Sequence, residues 1–334
     1  MSPMSSSEPA LAVPTLAVVG LSGHVLRYAE VAAGAAGPRL LRLGACDFET
    51  DAEAAVFGSG DAATLAVVED ALRDVFAGSA ARSLVVAVPA TASTAFFTPL
   101  PVGLAAAERD EQIRQEAALL ADLPPATPVR VRAVPVRAEA TGASAGSPDG
   151  GGARLWYHVL HVSESVHARL GRLAAALGVG SYDVADAGRG AAAVVRALPV
   201  AEAPDHVVLI VGAYADHTEA TVVRGGELVF GHHGPGTTPE DTAYYALAAL
   251  EVAGHDAAAI GRVFATGDAA DADRLAVLAG LAGQDAAPLN PIGLFGRPVD
   301  AALAWELAAF APVLGAALAA LAVEAVPAPA TPAA

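Results

Sequence analysis

Two clusters of short strands follow the same plan, and this repetition constrains the fold more than any other feature of the sequence. Each cluster opens with an aliphatic strand that ends in glycine, first at Gly20 and again at Gly212, 192 residues later. A polar turn, an alternating second strand and a third strand follow in both clusters. A repeat this long excludes a solenoid and predicts one duplicated α/β domain. Hairpins of similar sequence that arose independently are the alternative interpretation.

Capping residues and apolar spacing predict helices between these strands. Asp61 precedes apolar residues at helical spacing, and Thr238 with Pro239 suits the N-cap and first position of a second helix. The pair Gly225-Gly226 lies between two alternating runs and predicts a tight hairpin turn. Further helices are predicted at 105–121, 166–177, 191–198 and 271–281. Strands that alternate with helices are typical of an α/β protein.

The charged residues are unusual both in kind and in balance. All 19 basic residues are arginine, against 36 acidic residues, so the formal charge is −17. An acidic surface repels nucleic acid, which is therefore not expected as a partner. Without lysine, the chain has no route to a Schiff base or to a P-loop lysine. The mean hydropathy of +0.47 owes much to 84 alanines, so it does not by itself indicate a membrane protein.

Residues that could bind a metal ion are few. Cys46 is the single cysteine, so it can form neither an internal disulfide nor a cysteine-based zinc site, and we expect a small buried side chain. His232 and His233 are adjacent on a predicted strand and should point to opposite faces of the sheet. The sequence therefore predicts no metal site and no catalytic residue.

Three segments have the composition of linkers and tails: residues 1–13, 140–153 and 326–334 are rich in Gly, Ser, Pro or Ala and are expected to be unstructured. No basic residue precedes Arg27, so the first segment fits no signal peptide and a cytoplasmic location is expected. Residues 307–323 carry no charge, but they are few for a membrane span and include Pro312 and Gly315. We therefore predict a packed helix there, without membrane insertion.

Seven short segments together carry a resemblance that none of them would carry alone. They are LVVAVPATASTAFFTPLP at 84–101, ERDEQIRQEAALLADLP at 108–124, the strands and helices of 160–195, the hairpin of 207–236, FATG at 264–267, LNP at 289–291 and FAPVLG at 310–315. In this order they resemble the PilM-like type IV pilus assembly proteins of the actin-like ATPase superfamily, which are relatives of FtsA. The resemblance covers residues 14–321, nearly the whole chain.

The resemblance implies a duplicated actin-like, or ribonuclease H-like, α/β fold with an inserted small α/β subdomain and a reduced second small subdomain. The implied boundaries are 14–82 for subdomain 1A, 83–180 for the inserted 1C-like subdomain, 181–204 for the return to domain 1, 205–297 for domain 2 and 298–325 for a C-terminal helix that packs on domain 1. The reduction lies between Gly236 and Val263, where 26 residues stand in place of a whole subdomain, 2B, of the family.

The family's nucleotide site corresponds to six residues of this chain, which are Gly20, Ser22, Gly23, Gly212, Ala213 and Gly267. Actin-like ATPases carry an aspartate before each hairpin glycine, whereas valine stands here at both places. Asp268 adds a carboxylate where the family has a second glycine. We therefore expect a vestigial site in a pseudo-ATPase, with neither cofactor nor enzymatic activity. An active enzyme of the actin and sugar-kinase superfamily that uses Mg-ATP is one alternative, and an unrelated soluble α/β protein is another.

PilM-like proteins receive a short cytoplasmic peptide from a bitopic inner-membrane protein, and the resemblance implies such a partner here. The matching region, 84–177, places Phe96 and Phe97 on one predicted strand and Arg130 and Arg132 on one face of another. Alternation should leave one phenyl ring to a neighbour or ligand, or else the helix at 108–123 covers both rings.

The resemblance thus predicts a cytoplasmic scaffold of a type IV pilus or related envelope machine. Its partner would be the cytoplasmic segment of a bitopic inner-membrane pilus or secretion protein, which would hold the scaffold at the inner membrane. This prediction is compatible with both a monomer and a homo-oligomer.

Overall fold

The computed structural model describes residues 14–124, 127, 129–139, 153–198, 206–298 and 300–324. The segments expected to be unstructured, 1–13, 140–153 and 326–334, lie outside the described residues apart from Ala153.

The described residues form three sheets. In chain order, their strands are β1 (Thr15–Ser22), β2 (Val25–Ala32), β3 (Arg39–Asp47), β4 (Ser83–Val88), β5 (Thr94–Pro101), β6 (Val131–Glu139), β7 (Arg154–His161), β8 (Ser181–Asp186), β9 (Val207–Ala213), β10 (Thr218–Arg224), β11 (Glu227–Gly234), β12 (Ile260–Thr266) and β13 (Ala286–Pro288). The first sheet has the order β3-β2-β1-β4-β8 and the second the order β11-β10-β9-β12-β13.

The two large sheets repeat one topology. In each sheet three antiparallel strands come first, and two further strands then run parallel to the opening strand. Gly20 and Gly212 occupy corresponding strands, β1 and β9. The duplication predicted from the sequence is therefore confirmed.

The helices are α1 (Ala52–Phe57), α2 (Ala62–Val75), α3 (Ala106–Leu120), α4 (Glu164–Leu177), α5 (Ala187–Ala197), α6 (Pro239–Val252), α7 (Ala276–Ala282), α8 (Ala304–Ala308) and α9 (Ala311–Glu324). The predicted caps are confirmed: Asp61 accepts the N–H of Thr64, and Thr238 and Asp241 form a reciprocal capping box. α5 begins four residues before the predicted 191–198, because Asp186 caps it. α7 is shorter than the predicted 271–281.

The third sheet, with the order β5-β7-β6, is antiparallel and packs on α3. It spans only Thr94 to His161, so the expected boundaries of 83–180 for the inserted subdomain are too wide. β4 pairs with β1 in the first sheet, and α4 packs on α2 and α1. Both elements therefore belong with the first sheet. Between Gly236 and β12 the chain forms α6 and one short 3-10 helix, as the expected reduction implies.

The long uncharged segment near the C-terminus packs on the first sheet, as predicted. Val313, Leu314 and Ala317 of α9 are buried against strands β1, β2 and β4. α5, in turn, contributes Ala192 and Val195 to the core of the second sheet. The two helices cross between the sheets, so each half of the molecule contributes to the core of the other.

By length and composition, no single helix of the described residues could cross a membrane, although Ala301–Ala308 and Ala311–Ala322, bent by 74°, pass the same test as a pair.

Candidate functional site

The turn between β1 and β2, which we call the first turn, bonds to a carboxylate of the same chain. The main-chain N–H of Gly23 donates to Oε2 of Glu53 at 2.8 Å, and the hydroxyl of Thr91 donates to Oε1 at 2.9 Å. Glu53 reaches this turn from the first turn of α1, which Asp51 caps. Burial raises the pKa of Glu53, although the two hydrogen bonds favour its charged form. A phosphate at the first turn would have to displace this carboxylate.

The turn between β9 and β10, the second turn, is filled by aromatic side chains. The ring of Tyr214 stacks on that of His217, with centroids 4.5 Å apart and planes inclined by 11°. The main-chain N–H of Tyr214 donates to the carbonyl of His217 at 3.0 Å, which closes the turn. Tyr214 is 7% exposed, so its ring occupies the interior between the turns.

Arg274, in the loop before α7, holds the second turn in place. Its guanidinium donates to the carbonyl of Tyr214 at 2.8 Å and to that of Gly236 at 3.2 Å. Burial lowers the pKa of Arg274, and the charges of Asp271 and Asp268 oppose this effect. Hydrogen bonds from a buried guanidinium to carbonyls fix the main chain of the turn.

The segment after β12 lies against both turns. Gly267 has φ +93°, and a Cβ atom there would overlap the carbonyl oxygen of Ala213. This position requires glycine because two main chains meet there. Asp268 then accepts the hydroxyl of Ser22 at 2.9 Å and lies 3.9 Å from Nη1 of Arg27. A side-chain bridge thus joins the second half of the molecule to the first turn.

A network of charged groups, in which Asp216 is exposed and the other members are buried, lies behind the second turn. His217 contacts Asp216 at 2.6 Å through Nδ1 and Glu219 at 3.5 Å through Nε2. Glu219 also accepts the main-chain N–H of Ala90 at 3.0 Å, across the two halves. Asp186 caps α5 by accepting the N–H of Arg189 at 2.6 Å, and burial raises its pKa to about 6. These carboxylates are already committed to protein donors.

The six residues expected at a vestigial nucleotide site all lie around this cleft between the two turns. Gly20, however, packs on α9, because a Cβ atom there would lie 2.8 Å from Val313. The space left among Gly20, Tyr214 and Val313 is about 30 Å³, which is the size of a water molecule. The wider opening beside it, about 450 Å³, is lined by the four carboxylates of Asp51, Glu53, Asp216 and Asp268. Such a lining repels a triphosphate.

Two arginines predicted to bind a partner lie in a groove between the edges of two sheets. The groove has a volume of about 540 Å³ and separates β6 from β8. Arg132 bridges it, donating to the carbonyl of Val184 at 2.6 Å and pairing with Asp183 at 2.8 Å. Arg130 pairs with Glu164 at 3.1 Å, but its side chain stays 62% exposed. Arg130 is therefore the more available of the two cations.

Phe96 and Phe97 do not lie in this groove, and each ring is partly buried within the chain. Phe96 packs with Ile113 and the core under α3. Phe97 faces the other way and lies 5.0 Å from His158 and 6.1 Å from Phe230, ring centre to ring centre. The expectation that α3 covers both rings is therefore wrong, because α3 covers only Phe96. The other alternative holds, since Phe97 is left to neighbouring rings, here of the same chain. The alternation itself is as predicted.

Sequence reasoning missed several residues of the cleft. Glu53, Arg274 and Asp186 reach it only through tertiary structure. Asp186 alone carried a local signal, an acid between an apolar strand and an alanine-rich helix. Within the described residues, no three His, Cys, Asp or Glu side chains are grouped so as to hold a metal ion.

Comparison with known proteins relates this geometry to a fold family. No family model matches the sequence, and a search of the curated proteins finds no match. A solved PilM-PilN type IV pilus biogenesis complex is similar, with TM-score 0.66 and 16% identity, over 91% of this chain and 98% of that chain.

Two further solved structures share the likeness more distantly. A Bacteroides thetaiotaomicron protein with an actin-like ATPase fold and unknown function has TM-score 0.46 and 11% identity, over 81% of this chain and 90% of its own. The cytoplasmic domain of EpsL, an inner-membrane component of the type II secretion system of Vibrio cholerae, has TM-score 0.41 and 15% identity, over 77% of this chain and 84% of its own. With the duplicated strand order, the first likeness confirms the predicted fold: this chain has a duplicated actin-like fold similar to that of the PilM-PilN complex.

Proposed function

We propose that this chain is a cytoplasmic scaffold of a type IV pilus or related envelope machine, and that it binds the cytoplasmic segment of an inner-membrane partner without using nucleotide. The observation that carries the proposal is the bond between the Gly23 N–H and Glu53, because it places an internal carboxylate where an actin-like ATPase would bind phosphate. The PilM fold neighbour was solved in a complex with PilN, which supports a protein partner.

The contacts of the cleft support a scaffold over an enzyme. Nucleotide normally bridges the two halves of an actin-like ATPase, and here Asp268 and Glu219 bridge them instead. A phosphate chain would meet the carboxylates of Asp51 and Asp216 at the opening and would need to expel Tyr214 from the interior. Each step costs free energy that Mg²⁺ alone would have to offset.

Mg-ATP should therefore leave the melting temperature of the protein unchanged at millimolar concentration. A ligand present at about 100 times its Kd stabilises a protein by ~2.7 kcal/mol, so binding would be visible in a thermal-shift titration. Mg-ADP and MgCl2 alone serve as controls for ionic effects. A clear ATP-dependent rise in melting temperature would favour the active ATP-dependent enzyme instead.

The groove between β6 and β8 is the surface that best fits the partner. Within the described part of the chain, each of these strands pairs on one side only, so its other edge can accept an extended peptide by strand addition. Val131 gives the groove a partly exposed apolar side chain, and the buried Leu160 and Val162 lie at its floor, so apolar side chains of that peptide can pack there. Arg130 can exchange Glu164 for an acidic residue of the partner, because an exposed ion pair contributes little to stability.

Replacing Arg130 by glutamate should weaken binding of the partner without unfolding the protein. The measurement is co-purification with the bitopic inner-membrane pilus protein of the same organism, together with the melting temperature of each variant. We expect at least a tenfold loss of affinity, which corresponds to ~1.4 kcal/mol. Arg73→Glu on the exposed face of α2 is the matched control. Co-purification that is equal for Arg130→Glu and the wild type would remove this groove as the binding surface.

A further inference from the structure

A third cavity, separate from the cleft and from the groove, lies between the second sheet, the third sheet and the helices α5 and α9. Its volume is about 300 Å³, and its walls come from α5, from β6, from the turn between β10 and β11, and from Ala319 of α9. None of its lining residues belongs to the groove between β6 and β8. We call this cavity the junction pocket.

Small residues keep the junction pocket open. Ala192 and Ala193 of α5 face Gly225 and Gly226, which form the predicted two-residue hairpin turn with φ of +57° and +76°. β6 contributes a bulge at Val136, where its register with β7 shifts. Because alanine and glycine line the pocket, no side chain fills its space. A β-bulge such as the one at Val136 is frequent beside binding sites.

Two arginines of α5 give the junction pocket its charge. Arg189 and Arg196 are seven residues apart and so lie on one face of the helix, separated by about 10 Å along its axis. Within the part of the chain that the structure describes, no hydrogen bond or ion pair uses either guanidinium, whereas Arg132 and Arg137 nearby donate to the carbonyls of Val184 and Val229.

Negative charge near Arg189 compensates its positive charge only in part. Burial, together with the charges of Arg132 and Arg196, lowers its pKa to about 10, and the charges of Asp186 and Asp183 offset this only in part. Glu227 is the single acidic residue in the lining, and it lies opposite Arg224 across the hairpin. Arg189 remains protonated at neutral pH, so the pocket is a cationic site on a chain of net charge −17.

We propose that the junction pocket binds a small anion, whose phosphate or carboxylate groups accept hydrogen bonds from Arg189 and Arg196. The planar guanidinium fork matches both kinds of oxyanion in bidentate geometry. A volume of about 300 Å³ is at the small end of the range for small-molecule sites. Because the walls come from the second and third sheets and from helices α5 and α9, the bound anion contacts all of these elements and stabilises their arrangement.

The test compares two anions, inorganic pyrophosphate and citrate, by calorimetric titration and thermal shift at constant ionic strength. We expect one of them to bind and to raise the melting temperature by roughly 5 °C at about 100 times its Kd. The anion that binds identifies the group, phosphate or carboxylate. The double variant Arg189→Gln with Arg196→Gln should lose the response, and Arg73→Gln should keep it.

Single variants keep the test decisive if the double variant folds poorly. Arg196 is exposed, so Arg196→Gln should keep the unliganded melting temperature while it weakens binding about tenfold, the loss expected for one charge-assisted hydrogen bond. Arg189→Lys keeps the charge but not the fork, and should weaken binding too. The proposal is overturned if neither anion binds the wild type at 10 millimolar, or if the Arg196→Gln and double variants respond as the wild type does.

Discussion

His217 makes the free energy of unfolding depend on pH. Burial lowers the pKa of this imidazole, but Glu219 and Asp216 outweigh that effect and raise it to about 9. In the unfolded chain the pKa is ~6.5, so the folded state binds more protons between these two values. The stabilisation by His217 is therefore complete below pH ~6.5 and is lost as the pH rises through about 9.

The wild type should lose up to about 3 kcal/mol of unfolding free energy between pH 6.5 and 9.5, while His217→Gln should start less stable and lack this slope. Urea denaturation at several pH values measures the effect. His255→Gln, at a histidine in the loop after α6, is the control and should keep the slope. An equal slope in His217→Gln and the wild type would contradict the assignment of the charge to His217.

Some residues of the cleft could be predicted from the sequence and others could not. Gly23 and Gly267 were found because hairpin turns and close main-chain approaches leave a local glycine signal. Glu53 was not found, because its partner, Gly23, lies 30 positions earlier in the chain. Locally, Glu53 looks like an ordinary acidic residue in the first turn of a helix. Arg274 likewise reaches Tyr214 across 60 positions. Periodicity and capping describe neighbours in the chain, so neither contact could be predicted.

The helices α5 and α9 come so close where they cross that both need glycine at the contact. A Cβ atom on Gly315 would overlap the carbonyl oxygen of Gly190, and one on Gly190 would overlap that of Pro312. Main-chain contact of this kind leaves no side chain that could move aside. Since α5 packs on the second sheet and α9 on the first, the crossing sets the spacing of the two halves.

Gly315→Ala should therefore destabilise the protein by at least about 1–3 kcal/mol, the range for overpacking a close contact. Gly171→Ala in the middle of α4 is the matched control, because its nearest neighbour would lie at an ordinary 3.9 Å. That control should gain ~0.5–1 kcal/mol from the helix propensity of alanine. Chemical denaturation measures both, and equal stabilities for the two variants would show that the crossing is not tight.

Among the elements, the strands and the helix caps could be predicted from the sequence. The sheet to which each strand or helix belongs could not. The capped helices α2 and α6 begin where Asp61 and Thr238 place them. The boundaries of 83–180 failed because β4 and α4 look locally like any strand and helix, and only their pairing assigns them to the first sheet. The start of α5 was missed because Asp186, its cap, is also the last residue of a strand.

The two halves of the molecule depend on shared helices rather than on separate cores. α9 places Leu314 in the core of the first sheet, and Ala311, at its start, lies in the core of the second. Asp268 and Glu219 add polar contacts between the halves. Because apolar burial that spans both sheets is lost only when they separate, the molecule should unfold as one cooperative unit.

Ending the chain after Leu303 should therefore leave an aggregating or unfolded protein, since it removes α8 and α9 and uncovers the faces of β1 and β4. The matched control ends after Glu324 and keeps every described helix, so it should melt as the full chain does. Size-exclusion chromatography and circular dichroism compare the two. Suppose instead that the shorter protein is folded and soluble while the full chain partitions with membrane vesicles. Then α9 is an anchor rather than part of the core, and the cytoplasmic scaffold proposed above must be given up.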